Sequence, residues 1–215
     1  MYLPKPFEEK RPEIMHAVIG ERPLGTLIVM TANGLEANHL PFEIDPQPAP
    51  FGTLHGHVSR ANRVWRDFSP EIEALVVFTG PDSYITPSWY ASKQETGQVV
   101  PTWNYVVVHA RGPLRIVDDS QRLRQHVEGL VARHEAGRAQ PWQITDAPAD
   151  YISKQLAGIV AIEIPITQLS GKWKLSQNRT PKDRRGVLEG LLQEENPAAA
   201  AMAAAVQQTL DGDRQ

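Results

Sequence analysis

From Leu24 onward, apolar residues come in short runs bounded by glycine, proline and asparagine, the pattern of strands closed by turns. "LGTLIVMT" and "EANHLPFEI" flank "ANG", whose Asn-Gly step predicts a tight hairpin. "GTLHGHVS" and "ALVVFTG" read as two more strands with "RANRVWRDF" as a short helical connection between them, and "SYITPSWY" closes a further extended piece. In "VVPTWNYVVVHARG", Val99 to Gly112, the side chains of Trp103, Tyr105, Val107, His109 and Arg111 share one face and those of Asn104, Val106, Val108 and Ala110 the other. Both faces are apolar in the middle, which suits a strand with a core on one side and a second subunit on the other. "GIVAIEIPITQL" puts Val160, Ile162, Ile164 and Ile166 on one strand face. The expectation is six or seven strands.

Helical spacing takes over at three places. Ile14, Val18 and Ile19 follow Pro12, a good first-turn residue. Leu123, Val127, Leu130 and Val131 mark a crossover helix between the last two long strands. "TPKD" offers Thr180 as N-cap, Pro181 at the first helical position and Asp183 near the positive end, predicting a helix to about Glu195. The Ala-rich "NPAAAAMAAAVQQTL" favours helix but has few large side chains, so a loosely docked tail is expected. Strands on short turns with helices mostly after them predict a mainly β α+β fold, a barrel or strongly curled sheet.

The 215 residues, 41% of them hydrophobic, suffice for an ordinary core. A net charge of −3 removes any broad electrostatic case for nucleic acid, and the lack of cysteine excludes disulfides, thiolate nucleophiles and Cys-ligated metal. With no apolar leader and no membrane-length segment, a cytoplasmic protein is expected. Four stretches combine aromatic, cationic and amide side chains: "HGHVSRAN", "GPDSYITPSWYASK", the strand at Val99–Gly112, and "SGKWKLSQNR". Brought together, they would wall a pocket for a planar, phosphorylated heteroaromatic ligand.

These same segments, with "MYLPKPF" at the start, resemble the PaiB family of FMN-binding negative transcriptional regulators in order and content up to about Leu192. The resemblance implies a homodimeric FMN-binding split β-barrel, with flavin sites at the dimer interface. It divides the chain into a flavin-binding part, residues 1–178, and a helical extension, 179–215. It gives Ser59, Arg60 and Asn62 the FMN phosphate, Arg60 by its planar guanidinium. Trp89, Lys93, Trp103, Asn104 and Tyr105 line the flavin or the dimer seam, and Tyr90 belongs to the same segment. Lys172, Trp173, Lys174 and Gln177, with Arg179 as a further candidate, form a late flavin-contacting segment. His57 joins the set as a hydrogen-bonding group. On a strand, His55 and His57 face the same side and could also form a metal pair, but no third ligand lies near in sequence, so no metal is expected.

Two other classes remain open. One is a flavin oxidoreductase of pyridoxamine-phosphate-oxidase or flavin-reductase type, in which the flavin carries the chemistry. The other is a dimeric module using a different cofactor, such as haem through His39, His57 or His109. Direct DNA contact rests on the family resemblance and on the run Lys172–Arg185, with six basic residues against Asp183. Lys182, Arg184 and Arg185 are expected there on a solvent-facing helix.

Overall fold

The computed structural model describes residues 1–212. In chain order the elements are β1 (Glu8–Glu9), α1 (Pro12–Glu21), β2 (Leu24–Thr31), β3 (Gly34–Pro41), β4 (Glu43–Asp45), β5 (Thr53–Ser59), α2 (Val64–Asp67), β6 (Ala74–Ile85) and α3 (Ser92–Thr96). There follow β7 (Thr102–Gly112), β8 (Arg115–Val117), α4 (Ser120–Glu135), α5 (Ala149–Ala157), β9 (Ile159–Pro165), β10 (Gln168–Lys174), α6 (Pro181–Gln193) and α7 (Pro197–Gly212). The mixed, mainly β class is as expected. The strands number ten among the described residues because short β1, β4 and β8 carry no periodicity of their own. "ALVVFTG" and "SYI" turn out to be one twelve-residue strand, β6.

The chain forms two compact units. The first comprises residues 12–78 and 109–169. Here β2 and β3 make the predicted hairpin, with Thr31 paired to Gly34 across the turn, and the start of β6 lies on the other side of β2. A second sheet has the order β4-β5-β9-β8, every pair antiparallel. Leu54, Val58, Val160, Ile162 and Ile164 of that sheet are buried, and Phe42 meets Phe78 edge to face at 5.9 Å. Burial of such aliphatic and aromatic groups is the main stabilising contribution. Since β8 and β9 are antiparallel neighbours, the helix expected as a crossover leaves and re-enters the same sheet, with α5 completing the excursion. Asp119 caps α4, accepting from the backbone N–H groups of Gln121 and Arg122.

The second unit comprises residues 1–11, 79–108 and 170–212 of those described. Its strands run β1-β10-β7-β6. Along β7 the Asn104, Val106 and Val108 side is buried and the side bearing Trp103, Tyr105 and Val107 is open or half-open, which matches the two-faced pattern. Thr180 caps α6 by accepting from Asp183 N–H, as its sequence position predicted. α7 is not a loose tail: Ala199, Met202, Ala203 and Val206 are all buried and α7 packs along α6. Small alanines let the helices approach closely, and Met202 and Val206 fill the space between. Residues 213–215 of the expected extension lie outside the described residues.

Candidate functional site

The expected phosphate-binding segment closes β5, and its backbone already has a structural task. Ser59 Oγ accepts from Ala61 N–H, and Asn62 Oδ1 accepts from Val64 N–H at the start of α2 while its amide donates to Asn38. Arg60 donates from Nε to Ala157 O at 3.0 Å and from Nη2 to Ile159 O at 3.2 Å, so its guanidinium sits on the last carbonyl of α5 and the first of β9. Trp65 donates to Arg60 O and lies 5.7 Å from the Arg60 guanidinium and 4.3 Å from that of Arg66.

Beside Arg60 opens a cavity of about 720 Å³. Ile116, Leu123, Leu156 and Ile159 make aliphatic walls, Trp65 stands at its side, and Arg60 and Arg124 bring cationic groups, with Asp118 and Asp119 also on the lining. Asp119 is already engaged in capping α4. Apolar walls with a few placed charges are what a planar, phosphorylated molecule requires, so the donor set fits FMN. Sequence reasoning missed Trp65, Leu123 and Arg124; the "RVW" of the connecting helix was the available signal.

His57 is not among the residues lining that cavity. Its Nδ1 meets His126 Nε2 at 3.2 Å, so its hydrogen bond goes to another histidine, and burial followed by the nearby His126 lowers its pKa. Among the described residues no group of three or more His, Asp or Glu side chains is placed to hold a metal. His109 is half-buried on β7 with its pKa lowered, chiefly by burial.

The remaining candidates belong to the other unit and fall into three groups. Lys172 and Lys174, on one face of β10, place their ammonium groups 5.2 and 5.9 Å from the Tyr105 ring. Lys172 is buried, donating to Tyr2 O, and Lys174 donates to Thr102 Oγ1 and Trp103 O. Among the described residues neither is in an ion pair, and burial, then Lys172 and Arg179, push the Lys174 pKa down. Trp103 is exposed and pairs edge to face with Tyr84 at 6.1 Å. In the second group, Asn104 and Ser176 form a buried pair, and Gln177 folds back on Leu175 N–H and Trp173 O. In the third, Trp89 packs against α6 and Lys93 donates to Ser88.

The basic run is largely occupied. Arg179 lies 4.7 Å from the Tyr90 ring, Lys182 pairs with Glu95, and Arg184 is buried and donates to Thr209. The solvent-facing placement expected of Arg184 is therefore corrected, because α7 covers that side of α6. Of Lys182, Arg184 and Arg185, only Lys182 and Arg185 are exposed.

The family profile "Putative FMN-binding domain" matches residues 1–168. The protease synthase and sporulation protein PAI 2 of Bacillus subtilis is 32% identical over 203 residues, covering 94% of this chain and 95% of that protein. An uncharacterised protein of Emericella nidulans is 33% identical over 225 residues, covering 88% and 90%. Among solved structures, the flavocytochrome Anf3 of Azotobacter vinelandii superposes with a TM-score of 0.57 at 15% identity, over 81% of this chain and 70% of that one. The FAD and heme binding protein of Mycobacterium smegmatis gives 0.57 at 16%, over 78% and 73%. At such identities these structures speak for the fold alone.

Proposed function

Because the chain belongs to this FMN-binding family and is a homologue of the Bacillus PAI 2 protein, with FMN as its cofactor, we propose that it is a cytoplasmic, homodimeric negative regulator of transcription of the PaiB type. The observation that carries the placement of the flavin is the cavity beside Arg60. Its size lies within the roughly 300–1,000 Å³ of small-molecule sites, and its lining pairs aliphatic walls with two guanidinium groups. Arg60, with Ser59 and Asn62 shaping the turn beside it, faces the phosphate; Ile116, Leu123, Leu156 and Ile159 exclude water from the ring. Bound FMN supplies reversible electron transfer.

In a homodimer the flavin of one copy meets residues of the other. The exposed Trp103, with Tyr105, Lys172 and Lys174 behind it, is the surface we assign to that role: two ammonium groups with no carboxylate partner among the described residues are suited to the oxygens of an anionic ligand. Residues 1–178 make up the flavin-binding part and 179–215 the C-terminal extension. Regulation passes through another factor rather than through the basic run, because Arg179, Lys182 and Arg184 of its later part are engaged in internal contacts. An oxidoreductase reading draws on Lys174, whose depressed pKa suits proton transfer; turnover that falls in Lys174→Met while FMN stays bound would favour it.

Parallel fluorescence titrations with FMN and riboflavin test the placement. Arg60→Ala should weaken FMN by about 1.5–3 kcal/mol and leave riboflavin almost unchanged. Equal losses for both ligands would reduce Arg60 to a cap on α5.

A further inference from the structure

Four side chains form a row across the four-stranded sheet. Glu43 of β4 stands opposite His55 of β5, His55 opposite Glu163 of β9, and Glu163 opposite Arg115 of β8. Directly opposed residues on antiparallel strands project to the same face, so the row is a strip of carboxylate, imidazole, carboxylate and guanidinium. α4 attaches to this polar strip through two residues one helical turn apart. Arg122 pairs with Glu163, and His126 Nδ1 meets Glu43 Oε2 at 2.8 Å.

The second attachment continues inward. His126 Nε2 meets His57 Nδ1 at 3.2 Å, the two rings standing edge to face with centroids 5.3 Å apart. The His126 side chain is only 8% exposed, so water cannot easily replace either partner. Gly129 belongs to the same arrangement: a Cβ there would lie 3.1 Å from Glu43 Oε1, so the absence of a side chain lets the helix settle onto the carboxylate.

Counting protons shows what this chain of three groups tolerates. A bond between two imidazoles needs one N–H and one lone pair. With Glu43 ionised, either His57 donates to a neutral His126, or a protonated His126 donates at both ends. Both arrangements keep every bond. When both rings are protonated, two N–H groups face each other across 3.2 Å and attraction becomes repulsion.

We infer that Glu43, His126 and His57 form a proton-sensitive clasp, which holds α4 on the four-stranded sheet at neutral pH and lets it go when the second imidazole is protonated. The charged and titratable groups around it are Glu43 and Asp45 on β4, His55 on β5, Glu163 on β9, Arg115 on β8, and Arg122 with the Arg124–Glu128 pair on α4. β3 adds Glu36 and His39, and α1 adds His16, which is bonded to Phe51 O. Glu13 and Glu21 of α1 and Asp150 and Lys154 of α5 are exposed. His55 lies 3.5 Å from Glu163, so a proton there adds attraction; the release belongs to the His57–His126 contact.

The direction follows from the lowered pKa of His57, whose first cause is burial and second His126. At His57 the folded state binds a proton less readily than the unfolded one, so this group's contribution to stability is present above the ordinary imidazole value of about 6.5 and is lost as pH falls below it. α4 also walls the cavity beside Arg60, so its release opens that cavity. This last consequence rests on the flavin placement; the clasp does not.

Amide hydrogen exchange of the full chain, corrected for intrinsic rates, reads the clasp directly. Between pH 6.5 and 5.5 the protection of residues 120–135 should fall by up to about tenfold, the limit for one proton, while that of 197–212 changes little. His57→Leu, which cannot carry the second proton, should remove the dependence. Unchanged protection in the native chain, or the same slope in His57→Leu, overturns the inference. If His57→Leu does not fold, imidazole ¹⁵N shifts of the native chain decide: coupled titration of His57 and His126 coinciding with loss of α4 protection supports the clasp, and independent titration with α4 intact overturns it. FMN affinity that is indifferent to α4 release counts against the flavin placement alone.

Discussion

Gly190 shows how tightly single residues are committed in the helical part. A Cβ at this position of α6 would lie 2.3 Å from the Trp89 ring, far inside contact distance, so the indole occupies the space a side chain would need. Gly190→Ala should therefore destabilise the fold by about 1–3 kcal/mol, read as a lower urea midpoint with an unchanged slope. The buried Asn104–Ser176 pair makes a similar demand through polarity. Asn104→Ala leaves the Ser176 hydroxyl without its partner and should cost about 1–3 kcal/mol in the same experiment. Neither commitment is written near its residue in sequence: Trp89 lies about a hundred positions from Gly190, and Ser176 gives no local sign that it will meet Asn104. Trp89 and Asn104 stand out in sequence for their aromatic and amide chemistry, but the ring's seat against Gly190 and the bond to Ser176 are set by the fold.

Elements whose signals are local were legible. Asn196 caps α7 by accepting from Ala199 N–H, Asp119 caps α4, and Thr180 caps α6, each a contact within three residues. Asp119→Ala should lower thermal stability by about 0.5–2 kcal/mol, with the loss of amide protection concentrated in the first turn of α4. α5 escaped notice because its apolar residues, Tyr151, Ile152 and Leu156, are few in a nine-residue helix, and Tyr151 is exposed. The polar row under α4 was invisible for another reason. It joins positions 43, 55, 115 and 163 through strand register, and no periodicity along the chain encodes a register. α7 was underestimated because its alanines read as weak packing residues, whereas the covered side of α6 buries Val187 and Leu191 completely. A chain ending at residue 195 should expose those two and lose cooperativity in urea unfolding; an unchanged transition would show that α7 merely rests on α6.

For the whole molecule, membership of an FMN-binding family and the cavity beside Arg60 support a flavin carrier, and the exposed Trp103 surface is the seam of the proposed dimer. The net charge of −3 and the engaged basic run argue against the chain gripping a DNA backbone by itself. No helix among the described residues is long and apolar enough to cross a membrane. Native mass spectrometry of the purified full chain after incubation with equimolar FMN and riboflavin tests the central claim most directly, since mass separates the two flavins and the subunit count at once. The account predicts a dimer carrying two FMN molecules and no riboflavin. A monomer, or a dimer that takes the two flavins equally or takes neither, would contradict it.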